Sequence, residues 1–354
     1  MKFNKVFFLP IMLLLGMLFI TDVKADGFKV SRSITGVTNT AVNTFTYSVT
    51  ADSSNPATVT PPSNTTLAFT SSNAVSSNTV TSTKELIAES VWTSLTYPQP
   101  GTYKFIVSES ASSNATVYPR DTSTYTVTIY VTNVTNASNV PTGEMVATYI
   151  GSQKGGTGTK ITKTQNATFT SAANMSSMTV NCAVKGSLAN TNEYFKYTVS
   201  LTNNVSGTTY NVSGQTSGTI TYNGSSVTTS TTCTSNSCVI YLKHGQTATI
   251  GVSGSLKQLP VGITYSVAQN NTTAQSSNYT TTYKVGSASA ASGTSTGNKT
   301  MNATASNNAI VFENTADDEI VPSGIFFRLF PFLLLLVLSV VGVIAIKKTK
   351  RLDY

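Results

Sequence analysis

Charge is scarce in this chain and histidine nearly absent. Only 10% of the 354 residues are Asp, Glu, Lys or Arg, the acids number 14, and His244 is the single histidine. So thin a supply leaves little for general acid/base catalysis, nucleophilic triads or His-ligated metal, and no enzyme, metal or cofactor is expected. Helical spacing is also lacking, with Glu85 to Leu95 the one ambiguous stretch. The net charge of +8 divides into +2 over residues 1–25, +4 over 324–354 and only +2 over 26–323, where 14 basic side chains face 12 acidic ones. The basic character belongs to the ends, so no nucleic-acid partner is expected.

Those ends have their own signatures. Lys2 and Lys5, the apolar run Val6 to Ile20 and then Val23-Lys24-Ala25 have the three regions of a secretory signal peptide over residues 1–25, cleaved after Ala25. Ile325 to Ile346 is mostly apolar and long enough to cross a bilayer as a transmembrane helix. Lys347, Lys348, Lys350 and Arg351 follow at once, which places the tail 347–354 in the cytoplasm and everything before the span outside.

The middle is rich in Ser, Thr, Asn and Gly, and its apolar residues alternate, as in Phe45-Thr-Tyr47-Ser-Val49, Tyr125-Thr-Val127-Thr-Ile129 and Phe195-Lys-Tyr197-Thr-Val199. Period-two patterning with β-branched and aromatic residues predicts many short antiparallel strands and an all-β chain of immunoglobulin-like β-sandwiches. The pattern runs twice, which places one domain at 26–172 and a second at 173–316. Val140-Pro-Thr-Gly143 reads as a turn between strands. The odd cysteine count permits Cys233 with Cys238, or Cys182 with Cys238, and leaves one thiol over. Trp92, the only tryptophan, reads as core.

Two sets of motifs carry a resemblance. Val321-Pro322-Ser323-Gly324, within the segment 317–324 and followed by an apolar span and a basic tail, resembles the sorting signal of Gram-positive surface proteins in the form read by pilin-polymerising sortases. Phe-x-Tyr, Pro100-Gly-Thr-Tyr103 leading to Glu109, Val146-Ala-Thr-Tyr-Ile150, Leu259-Pro-Val-Gly262 leading to Tyr265, and Phe312-x-Asn314 occur in the order seen in streptococcal two-domain backbone pilins. The resemblance implies a cell-surface fibre subunit, no enzyme, that a sortase cleaves after Ser323 and joins to a lysine of another copy. Lys163 is nearest the family's acceptor position, with Lys160 and Lys154 beside it. The alternative is a monomeric wall- or membrane-anchored adhesin that holds a host ligand.

In that family each domain links a first-strand lysine to a last-strand asparagine with the help of a buried acid. The corresponding positions here are Arg32, Glu109 and Ser171 in the first domain, and Cys182, Gln269 and Asn314 in the second. Arginine keeps its proton and cannot attack, and serine has no carboxamide. Neither domain is therefore expected to form the Lys–Asn bond, and Arg32 is expected to pair with Glu109 instead. Cys182 and Gln269 leave open a thioester, with a buried, packed thiol as the plainer alternative.

Overall fold

The computed structural model describes residues 27–38, 42–158, 160–162, 165–202, 208–234, 236–316 and 332–344. The segment 1–25, Lys163, the motif Val321-Pro322-Ser323-Gly324 and the tail 347–354 lie outside them. Residues 332–344 are helical, and among the described residues no helix is long and apolar enough to cross a membrane.

Alternation sets the first sandwich. The opening strand Phe28–Thr35 buries every second side chain, Phe28, Val30, Arg32 and Ile34, and half-exposes the rest. It is paired on one side with Thr79–Ile87, antiparallel, and on the other with the closing strand Ala167–Ala172, parallel. The facing sheet has six strands, in the order Thr65–Phe69, Asn43–Ala51, Gly101–Ser112, Thr124–Thr135, Pro141–Lys154 and Lys160–Ile161. Aromatic rings fill the space between, Phe169 lying 5.1 Å from Tyr47 and 5.0 Å from Tyr125 between ring centroids.

The ambiguous stretch at Glu85 to Leu95 divides: a strand runs to Ile87, then a short helix, Glu89–Thr93, carries Trp92 into the core against Phe105. The turn expected at Val140 to Gly143 lies slightly earlier. Asn136 takes backbone N–H groups of Ser138 and Val140 on its side-chain oxygen, and Asn139 adopts a φ of 59°. An asparagine ring of this kind supplies the turn, so Pro141 already begins the next strand.

The second sandwich repeats the plan with a wider sheet. Its opening strand Met178–Lys185 lies between Thr247–Ile250 and the closing strand Ala309–Ala316, the latter again parallel. The facing sheet is Ser237–Leu242, Phe195–Thr202, Thr264–Gln269 and Lys299–Thr300. Between the units the chain is held by its backbone: Ala173 N–H donates to Thr35, Asn174 N–H to Val117, and Asn174 accepts from Val261.

Candidate functional site: two buried side-chain clusters

In both sandwiches the parallel pairing of first and last strands fixes the same offset. Arg32 stands opposite Phe169 and Ile34 opposite Ser171; Cys182 stands opposite Phe312 and Val184 opposite Asn314. Because side chains alternate, Arg32 and Ser171, like Cys182 and Asn314, become diagonal neighbours on the inward face. The third position comes from the facing sheet, where Glu109 is the cross-strand partner of Tyr47 and Gln269 that of Tyr197.

The structure brings Arg32, Glu109 and Ser171 together. Arg32 Nε donates to Glu109 Oε1 at 2.8 Å and Nη2 to Oε2 at 3.4 Å, with both side chains fully buried. The same Nη2 donates to Ser171 Oγ at 2.8 Å and to the Pro119 carbonyl at 3.1 Å, and Nη1 donates to the Ser33 carbonyl. The guanidinium carbon lies 4.1 Å from the Phe45 ring centroid, a cation–π contact out of water. Glu109 also accepts from the Tyr47 hydroxyl at 3.2 Å and from Asp121 N–H. Every partner of this carboxyl is a donor, which serves the ionised form. Burial nonetheless pushes its pKa above the usual carboxylate range, with the Arg32 charge and these hydrogen bonds offsetting part of the rise. Burial pushes Tyr47 upward too, aided by the Glu109 charge, so its hydroxyl stays a donor. Nearby, burial acts to raise Asp121, but the Thr170 and Ser123 N–H groups that it accepts outweigh this and hold it low.

The second cluster is neutral. Gln269 Nε2 donates to Asn314 Oδ1 at 2.6 Å and Asn314 Nδ2 returns to Gln269 Oε1 at 3.3 Å, a reciprocal amide pair. Thr281 Oγ1 donates to Asn314 Oδ1 at 2.8 Å, and Gln269 Nε2 also donates to Asn271 Oδ1 at 2.6 Å. The contact to Cys182 is long: Asn314 Nδ2 lies 4.0 Å from its sulfur. Tyr197 reaches toward that sulfur, but its buried hydroxyl makes no hydrogen bond of ordinary geometry. Burial pushes the Cys182 thiol up to about 11, so at neutral pH it is protonated and a poor nucleophile. Gln269 has no proton to hand to a leaving group. As placed, the cluster packs and hydrogen-bonds, and its thiol is protonated where exchange at a carboxamide calls for a thiolate.

The remaining candidates are dispersed. Cys233 and Cys238 form a disulfide with S–S 2.04 Å, and Cys182 is a free thiol in the core, so Cys182 and Cys238 are not paired. Lys185 faces outward and pairs with Glu313 at 2.6 Å. Lys154 ends the strand Pro141–Lys154, and Lys160, exposed, stands opposite Gln153. His244 accepts the Val184 N–H on Nδ1 and serves the backbone. Among the described residues no group of His, Cys, Asp and Glu could hold a metal ion. Tyr47, Tyr197, Asp121 and Thr281 also belong to the clusters, although no motif marks them as site residues. The repeated Phe-x-Tyr is the one signal for the tyrosines, since it puts a tyrosine opposite the acid position in both sandwiches.

Two outcomes follow from these geometries. Arg32→Leu strands Glu109 without its cation and should cost about 3–5 kcal/mol, while Arg32→Leu with Glu109→Leu should recover most of the loss. A carboxyl whose pKa is raised on folding favours the folded state below its unfolded pKa and loses that advantage as pH rises through the folded value. Arg32 holds the Glu109 rise in check, so without it the carboxyl is pushed up further and the single-variant cost should be greater at pH 8 than at pH 4, as read by urea denaturation; a pH-independent cost would contradict the pairing. Cys182, for its part, should resist alkylation at pH 8 in the folded protein and react at once in denaturant, followed by mass spectrometry. Rapid labelling of the native chain would contradict a protonated, enclosed thiol.

Residues 28–172 match the family model FctA, the Spy0128-like isopeptide containing domain, and residues 176–309 match a domain of unknown function, DUF7601. A comparison with curated proteins gives no match. Among solved structures, a mutant of the major pilin from Streptococcus pyogenes aligns with a TM-score of 0.59 at 21% identity, covering 82% of this chain and 99% of that one. The unmutated major pilin from Streptococcus pyogenes gives 0.57 at 20%, covering 82% and 98%. The major pilin protein T3.2 of the same species gives 0.57 at 19%, covering 82% and 99%. Residues 28–172 thus match the Spy0128-like isopeptide containing domain, over less than half of the chain, and the chain has the two-sandwich, all-β fold of the streptococcal major pilins.

Proposed function

We propose that this protein is a structural subunit of a pilus or similar fibre on the surface of a Gram-positive-type cell. The observation that carries the reading is a fold shared along nearly the whole length of the major pilins, at 82% of this chain and 99% of the other. The sequence at both ends supports it. The leader over 1–25 exports the chain, the apolar run 325–346 with its basic tail holds it in the membrane, and a sortase cleaves between Ser323 and Gly324. The acyl group at Ser323 then passes to an amine on another copy.

That amine must be exposed and on a segment able to enter an enzyme cleft. Lys154 and Lys160 flank a short Gly/Thr loop after the last long strand of the first sandwich, and both are exposed. Lys163, three residues on, completes the set. On a denaturing gel, cell-wall extracts should give a ladder of covalent multimers. Lys163→Ala with Lys160→Ala should collapse the ladder and leave the anchored monomer folded, because Lys160 is exposed and substitutions at exposed positions cost little stability. A single anchored band from the unaltered protein would favour the monomeric adhesin instead.

A further inference from the structure

Tension applied to this chain has one route that it must take. Load entering anywhere before Met178 and leaving beyond Ala316 passes through the second sandwich, from its opening strand Met178–Lys185 to its closing strand Ala309–Ala316. These strands lie side by side and parallel, in register from Thr179 opposite Ala309 to Lys185 opposite Thr315. Pulling the start of one and the end of the other slides them along each other, so the whole ladder is loaded together. The closing strand is also gripped on its far side by Tyr279–Val285, from Tyr279 opposite Ala316 to Val285 opposite Ile310.

No covalent bond backs up this grip among the described residues. Cys182, Gln269 and Asn314 meet between the two strands and the facing sheet, but they share only hydrogen bonds and a 4.0 Å sulfur contact. The disulfide Cys233–Cys238 joins Thr232–Thr234 to Ser237–Leu242, neither of them a terminal strand, and encloses a loop of sequence separation 5. It shortens the releasable chain hardly at all. The first sandwich differs in topology, for its closing strand Ala167–Ala172 is an edge strand, paired among the described residues only with Phe28–Thr35. An attachment at Lys154, Lys160 or Lys163 lies late in that sandwich, so the load goes past most of it, whereas the second sandwich is in series wherever the upstream attachment lies.

We propose that the second sandwich is an extensible, force-bearing element, its parallel terminal strands forming a non-covalent clamp that yields under tension and lengthens the subunit. That tension reaches the chain rests on the fibre reading above; the clamp does not. Opening of residues 178–316 at roughly 3.4 Å per extended residue gives a lengthening on the order of 450 Å. Forced opening of this kind is set by an unfolding rate, so the yield force should rise with pulling speed.

The test is single-molecule stretching of the ectodomain, residues 26–323, held at its two ends. The unaltered protein should lengthen in two large steps, one per sandwich. A variant with Thr179→Cys and Ala309→Cys places thiols on register partners of the clamp. Once oxidised, it should lengthen in one large step, and reduction should restore the second. The same number of steps in both proteins, whether none, one or two, would overturn the proposal. The gel ladder reads polymerisation and not extension, so the two readings can fail separately.

Discussion

The whole design turns on one constraint: each sandwich is closed by laying its last strand parallel to its first. A chain that begins and ends a fold at the same place needs a long path between, and in each unit a run of mostly antiparallel strands supplies it. The pairing sets which side chains can meet. Arg32 must lie diagonal to Ser171, and Cys182 to Asn314, because both pairs share one register offset. The facing sheet then delivers Glu109 or Gln269 to the same spot. Chemistry at that spot is decided by residue type alone, since the geometry is common to both.

The two sandwiches answer the same geometry in different ways. In the first, a buried arginine and glutamate hold opposite sheets together. Desolvating both ions is expensive, and only the density of donors around the carboxylate and acceptors around the guanidinium makes the pair tolerable. Such a cluster punishes removal of one partner more than it rewards the presence of both. In the second, a reciprocal amide pair does the joining without any charge, and the thiol beside it is enclosed and protonated. Neither arrangement offers an unprotonated amine beside a carboxamide, so neither can make the bond that the family's positions serve.

Much of this is legible in the sequence because the determinants are local. Alternation at Phe28 to Thr35 or Phe195 to Thr202 reports strand and facing direction together, which is why the inward side of Arg32 and Cys182 and the outward side of Lys185 follow from the pattern alone. What is not legible depends on contacts between distant segments. Tyr47 and Tyr197 look like ordinary core aromatics; the repeated Phe-x-Tyr marks them as equivalent, and the cross-strand register shows that they stand opposite the acid position. Asp121 sits in a loop with no pattern, and its role comes from Thr170, some fifty residues away. Cysteine spacing alone leaves two pairings open; placement of Cys182 between the sheets decides for Cys233 with Cys238. The turn near Val140 falls earlier than its Pro and Gly suggest, because the Asn136 side chain makes it.

The absence of a covalent tie between first and last strands is the claim on which the rest stands, and the intact mass of the purified ectodomain tests it most directly. The account predicts the sequence mass less two hydrogens for the Cys233–Cys238 disulfide, with a proteolytic digest showing Arg32, Ser171, Cys182 and Asn314 in unlinked peptides. A mass lower by one or two ammonia molecules, with a branched peptide joining the opening and closing strands of either sandwich, would contradict it.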